Sequence, residues 1–450
     1  MLDSDWESFE AAAARVRVLE YTYDPNRWRR EGALVYELDC GIFRSFACAA
    51  GGRMRLLPQL QKLSWTTVDD EIYPYISLFL SSTITSLDIH AAGKEPASQR
   101  MRFSLLASLV SQCPSLRSLT LKGGGGFYDC LISWGSLFSR FSANACASLG
   151  KWGALSSLCL DHIDLCTVTE VLATLPALTK LELMTCKAIS DLPSAPSSVQ
   201  GFPVLQHLTI SSDMDSCLYV LKRMSPGTPL VYLELAVKGI PRENRWYELF
   251  NNLKAVISRE SLSIVYFSVF NAFLPERTQD VLMDLQTISP LLHFPHISEF
   301  KQGGLCYLDL DDNGVALVAR AWPRLKSFIL RAGGVGLTHH AFLPFAKYCS
   351  ELEVLAMTID ATHVSNHEER PERGSLCAKL RELVVFHSKI DDSARVAAFI
   401  SGIFPNVVEI SFSLFKNSTW QEPHNPTWKD VEKLIPIFAA VRRQEASHTS

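Results

Sequence analysis

The chain has 450 residues, 47% hydrophobic and 20% charged, which is the balance of a folded protein with a sizeable core. Its 43 basic and 47 acidic residues leave a net charge of −4 with no long single-sign run, so electrostatics give no case for nucleic acid or an anionic membrane as partner. No window holds 18 uninterrupted apolar residues, the opening MLDSDWESFE is acidic where a secretory signal is basic, and the twelve cysteines form no CxxC pair. Together these features place reduced thiols in the cytosol or nucleus.

In chain order, DSDWESFEAAAARV spaces Trp6, Phe9, Ala13 and Val16 as one helical face, a capping helix over 1–15. A pattern Leu-x-x-Leu-x-Leu then begins and recurs. Its cleanest pair is Leu155/Leu158/Leu160 and Leu178/Leu181/Leu183. Alternation at the last two positions reads as a strand. The run between them, capped by Asp164 or Thr167 and closed by Pro176, reads as a helix. About fourteen copies are found, starting at Val16, Leu60, Ile84, Leu116, Leu155, Leu178, Leu205, Leu230, Leu262, Ile297, Leu325, Leu352, Leu380 and Val407. Proline stands two residues ahead of many of them: Pro58, Pro114, Pro176, Pro203, Pro295, Pro323 and Pro405.

Start-to-start spacings run from 23 to 44 residues. A unit this short cannot bury both a strand face and a helix face unless copies stack on either side. The fold expected is therefore α/β, a leucine-rich-repeat solenoid or horseshoe of about fourteen irregular strand–helix repeats, over 16–426. Three segments, 122–154, 236–261 and 361–375, read as loops leaving the stack. Ile297 is taken as a strand start although it matches the template poorly, with Leu305/Leu308/Leu310 as the approach to the next helix. Acidic pairs precede two helices, and Asp312 and Asp392 are the expected caps. Trp428, Val431, Ile435 and Phe438 give a C-terminal capping helix over 427–443, interrupted by Pro436, and 444–450 reads as a disordered tail.

No motif carries catalytic chemistry, and no cofactor or metal is expected. Asp309 to Gly314 resembles the first half of a calcium loop, but position twelve is Arg320 where a bidentate Glu belongs, so helix capping is the better reading. Gly123 to Gly126 lacks the Lys-Ser/Thr of a phosphate loop, and Gly333-Gly334-Val335-Gly336 lacks the dinucleotide spacing. His339-His340 and the His293/His296 pair have no third ligand nearby, and Cys186 occupies a turn position. The sequon Asn417-Ser418-Thr419 carries no weight without secretion.

What remains is the strand surface. The third, fifth and seventh positions of each copy face away from the leucines, on the concave side of a solenoid. They give Ser118, Thr120 and Lys122; Ser157, Cys159 and Asp161; Lys180, Glu182 and Met184; His207, Thr209 and Ser211; then Tyr232, Glu234 and Ala236. Such a mixed row can bind a protein or peptide, and a plain solvated sheet face would look similar. A monomer with no nucleic-acid or membrane partner is expected.

Five segments carry a likeness in order: Asp3 to Leu19, Leu56 to Trp65, Cys113 to Leu121, Asp309 to Leu330 and Ile390 to Ile410. With them the chain resembles the F-box/leucine-rich-repeat proteins of mushroom-forming fungi. The resemblance implies the substrate receptor of an SCF-type ubiquitin ligase, in which an F-box holds the adaptor and the repeats hold the substrate. An F-box should precede Asp3. Met1 lies two residues upstream of it, and Leu57-Pro58 belongs to a repeat, so an adaptor is expected only if the full-length product carries an F-box. The alternative is a recognition scaffold with no link to ubiquitin.

Overall fold

The computed structural model describes residues 3–23, 40–49, 56–67, 72–91, 108–123, 150–161, 165–184, 200–239, 241, 244–270, 281–330, 336–364, 376–413 and 426–448. Asp164, Cys186, the glycines at 124–126 and 333–334, and the sequon lie outside these. The repeat pattern runs without a break from 16 to 426, yet the chain divides into two compact units, Met1–Thr228 and Pro229–Ser450.

In the first unit, seven parallel strands pair in sequence order. They are β1 (Val18–Tyr23), β2 (Lys62–Thr67), β3 (Ser86–Ala91), β4 (Ser118–Gly123), β5 (Ser157–Asp161), β6 (Lys180–Met184) and β7 (His207–Ser212). The ladders align the repeat leucines into one row, Leu63–Leu87–Leu119–Leu158–Leu181–Leu208. All six are buried, as are Trp65, Ile89, Leu121, Leu160, Leu183 and Ile210 in the row beside them. The end of this core is closed by rings: Tyr21 lies 4.4 Å from Trp65, and Phe43, on the helix Cys40–Ala49, packs edge-on against both. The expected N-terminal helix spans Asp3–Ala13, with Trp6 stacked on Phe9 and Ala13 buried.

The second unit repeats the scheme with β8 (Tyr232–Lys238) and β9 (Ile264–Phe270), and after them β11 (Glu299–Gly304), β13 (Ser327–Ile329), β14 (Val354–Ala356), β16 (Glu382–Val384) and β18 (Glu409–Ser411). Its core row is Leu233–Val265–Phe300–Phe328–Leu355–Leu383–Ile410, every member buried. Phe300 stacks on Phe328 at 5.4 Å and meets Trp322 at 4.9 Å. The weak match at Ile297 has a cause: Gln302 occupies a core position where other copies have an apolar or aromatic residue, Phe267 on the paired strand among them. Its amide is buried and donates to the Cys306 carbonyl, so the polar group is satisfied.

Two short ladders are absent from the sequence reading. β10 (Val281–Asp284) pairs with β12 (Cys306–Asp309), and β15 (Asp360–Ala361) pairs with β17 (Lys389–Ile390). Leu305 and Leu308 thus belong to a second strand and its entry, rather than to a simple approach to the next helix.

The proline positions are explained by a recurring turn. The carbonyls of Leu57, Trp152, Phe202, Trp322, Cys349 and Phe404 each accept the N–H three residues on, at 3.0–3.5 Å. Pro58, Pro203, Pro323 and Pro405 occupy the second turn position, which needs φ near −60° and no donor. A second regularity sets the register. The carbonyl just before one strand accepts two successive N–H groups of the next repeat, as Arg117 does from Ser156 and Ser157, and Lys326 from Glu353 and Val354.

Helix caps follow the acidic pairs with one correction. Asp392 caps Ser393–Ile403, accepting from the N–H groups of Ala394 (2.9 Å) and Arg395 (3.0 Å). For the Asp312–Ala321 helix the cap is Asp311, which accepts from Gly314 at 2.7 Å. Asp312 instead takes the N–H and hydroxyl of Thr338, because its side chain, one residue into the helix, reaches the next repeat. Asp213 caps Met214–Leu221 in the same way, unforeseen. Replacing Asp392 with Ala is expected to cost about 1 kcal/mol in chemical denaturation, and Asp391→Ala, at an exposed neighbour with no capping role, close to nothing.

The C-terminal helix runs Pro426–His448, through Pro436 and past the expected end at 443; its last residues form helix rather than a disordered tail. Trp428, Val431, Ile435 and Ala439 are buried, and Arg442 donates to the Ala398 carbonyl and Ser401 on the preceding helix, which ties this end down.

Candidate binding faces on the strands

Strand alternation turns every second side chain away from the core rows. Nine of the eleven expected face residues fall in the first unit: Ser118, Thr120 and Lys122 on β4, Ser157 and Asp161 on β5, Lys180 and Glu182 on β6, and His207 and Thr209 on β7. Tyr232 and Glu234 lie on β8 of the second unit. Most are half-buried. Thr209 is only 8% exposed and Cys159 5%, so these two offer a partner little surface.

In the first unit, charge is largely neutralised within the face. Lys180 pairs with Glu182 at 2.7 Å, and His207 Nε2 lies 3.9 Å from the same carboxylate. His90 pairs with Asp88 at 2.9 Å, and Lys62 with Glu20 at 3.1 Å. Burial works to raise the Asp88 carboxyl, but His90, Lys122 and Ser64 outweigh it and hold the group below the usual carboxylate range. Glu182 behaves alike: burial is opposed by Lys180, Cys159 and Lys122, and its carboxyl is held low. The Cys159 thiol is pushed up to about 12, chiefly by burial, with Lys122 opposing and Glu182 adding to the shift. It is therefore a protonated hydrogen-bonding group and no nucleophile.

The second unit carries a different cluster, on β8, β9 and β11. Tyr232 donates its hydroxyl to Glu234 at 2.7 Å, and Tyr266 donates to Glu299 across the β9–β11 ladder. The two rings meet edge-on with centroids 5.6 Å apart, and Lys301 Nζ lies 5.8 Å from the Tyr266 ring. Burial, the bond to Glu299 and the charges of Glu299 and Glu234 all raise the Tyr266 phenol. Tyr266, Glu299 and Lys301 were not among the expected residues. The positional rule that selects Tyr232 and Glu234 finds them when it is carried to the copies at Leu262 and Ile297.

Among the described residues, no three His, Cys, Asp or Glu side chains are placed to hold a metal. His339 is buried against Phe399, and His296 pairs with Glu260 at 2.5 Å. An open hollow is lined by Asp284, Asp309, Asp311, Leu285, Gln286, Leu310 and Gly336. Two of its three carboxylates serve as helix caps. Among the described residues no helix is long and apolar enough to cross a membrane.

Parallel strands with aligned leucine rows, joined through helices and proline turns, define a leucine-rich-repeat protein. No protein-family model matches the chain. Over 160 residues it is 36% identical to Tonsoku-like protein of Danio rerio, covering 33% of this chain and 11% of that protein. The chain thus spans about a tenth of the length of the curated relative it matches. Among solved structures, the yeast Rad7 and Elc1 complex aligns over 86% of this chain and 91% of the other, at 15% identity and a TM-score of 0.34. A leucine-rich-repeat protein of Leptospira interrogans aligns over 82% and 80%, at 13% identity and a TM-score of 0.38. Both scores fall below 0.5, and the fold assignment rests on the ladders and core rows.

Proposed function

We propose that this chain is a protein-recognition module whose strand faces hold the partner. The observation that carries the reading is the state of those faces. Half-exposed aromatic and charged side chains are held in fixed positions by bonds along and across strands, as in Tyr232–Glu234, Tyr266–Glu299 and Lys180–Glu182. A preorganised polar and aromatic surface costs little ordering entropy on binding. No chemical step is assigned to either face.

Photo-crosslinking tests this directly. A crosslinker at Ser157, Lys180 or Ser327 is expected to give at least tenfold more protein adduct than one at Leu317 or Val441, which are exposed on helices. Equal yields from strand and helix positions would overturn the reading.

The finer proposal, resting on the sequence resemblance, is the substrate-recognition part of an SCF-type ubiquitin ligase acting in cytoplasm or nucleus. The alternative is a scaffold unconnected to ubiquitin, and the placement of Leu57-Pro58 is consistent with either reading. That dipeptide forms a repeat turn closed by the Leu60 N–H, and so does not open an F-box. Purification of the product of the full-length transcript separates the two: retained adaptor and cullin support the ligase role, and their absence leaves the scaffold.

A further inference from the structure

Glu234 and Glu299 differ from the carboxylates of the first unit. Glu182, Asp88 and Glu20 each have a lysine or histidine within ion-pair distance. Among the described residues, Glu234 and Glu299 have none; each accepts only a tyrosine hydroxyl, which leaves its charge in place. A phenol uses one lone pair of a carboxylate that can accept about four bonds. The two charges flank the edge-on ring pair of Tyr232 and Tyr266, and all four side chains are half-buried, so the negative potential is focused on a π surface. Lys301 stands 5.8 Å from the Tyr266 ring, a distance at which a cation is attracted without an ion pair.

We propose that the Tyr232–Glu234–Tyr266–Glu299 patch is a docking site for an arginine side chain on an extended segment of the protein partner, a proposal that rests on the recognition reading above. Guanidinium matches both halves of the patch, since its planar fork bonds carboxylate oxygens while its face lies on a phenol ring. A second carboxylate sets the spacing. Along the outward row, Glu299 aligns with Ser327, Val354 and then Glu382, three strands away. Three strand spacings are roughly 14 Å, and residues four apart in an extended chain are about 13 Å apart with side chains on one side. A segment crossing the strands thus presents one arginine to the tyrosine patch and another, four residues on, to Glu382.

The probe is a ten-residue glycine–serine peptide carrying two arginines four residues apart, titrated against the full chain at low salt. Its counterpart with citrulline at both positions keeps the shape and loses the charge. The arginine peptide is expected to bind at least tenfold tighter than the citrulline peptide. The double variant Glu234→Gln/Glu299→Gln, with unfolding unchanged, should abolish that difference, and Lys301→Ala should strengthen binding severalfold by removing a competing cation. Equal binding of the two peptides, or an unchanged preference in the double variant, overturns the proposal. If the peptide fails while crosslinks still map to the strands, the arginine site alone is wrong. If crosslinks do not favour the strands, the recognition reading falls whatever the peptide does.

Discussion

Leu181→Asp is expected to cost about 3–5 kcal/mol, enough to unfold a marginal repeat array. Leu181 is fully buried, aligned between Leu158 and Leu208, so the new carboxyl would sit in a row of buried leucines. Burial raises a carboxyl's pKa, so in the folded state the acid is held protonated to higher pH than in the unfolded chain. The variant is therefore least destabilised in acid, and the cost grows as pH rises through the folded-state pKa. Lys180→Ser, one residue away, loses only a half-exposed ion pair and is expected to stay within about 1 kcal/mol of the parent. Urea denaturation of both variants at two pH values gives the comparison. A parent-like curve for Leu181→Asp would remove that residue from the core.

Gly304→Ala is expected to cost about 3 kcal/mol or more. Gly304 ends β11 with φ +73°, and a Cβ there would lie 2.0 Å from the Val269 carbonyl oxygen and 2.9 Å from its carbonyl carbon and amide nitrogen. These are backbone atoms of the neighbouring strand and cannot swing aside. The same oxygen accepts the Leu305 N–H at 2.8 Å, so relief by displacement breaks that bond. Gly227 provides the contrast, with φ +80° and nothing within 4 Å. Its alanine variant should lose only the left-handed penalty, about 1 kcal/mol. Measured by the same denaturation series, the difference between the two isolates the steric clash; equal losses would place Gly304 in a looser setting than described.

The main strands were legible because their signal is redundant. Leucines alternate with period 2, and a proline turn precedes many of them, so each of the fourteen expected starts stands two residues ahead of a strand in one of the two units. Even the weak start at Ile297 holds, with Gln302 in a core position satisfied by Cys306. The β10–β12 and β15–β17 ladders were not legible. Strands of two to four residues have no room for a periodic signal, and their pairing depends on the main sheet having already set the spacing. The cap was misplaced by one residue because Asp311 and Asp312 have equal capping preference; only the reach to Thr338 distinguishes them. On the faces, same-strand partners two residues apart, such as Lys180–Glu182 and Tyr232–Glu234, could be read off directly. Tyr266–Glu299 joins strands 33 residues apart in sequence and needs the register. That Thr209 is covered could not be foreseen from an outward position alone.

The carbonyls that each serve two amides of the following repeat decide where this chain can be cut and rejoined. A residue added inside a Leu-x-x-Leu-x-Leu segment would shift both amides off their shared acceptor and turn each later side chain to the opposite face. Between strands the spacing already varies from 23 to 44 residues without disturbing that bond. The smallest exchange that preserves every crossing bond is thus a whole repeat, taken from one shared carbonyl to the next, for example Arg117 to Ser156. Such a segment brings its own outward residues and its own loop. The outward strand face can accordingly be reshuffled one strand at a time while the leucine rows stay in register.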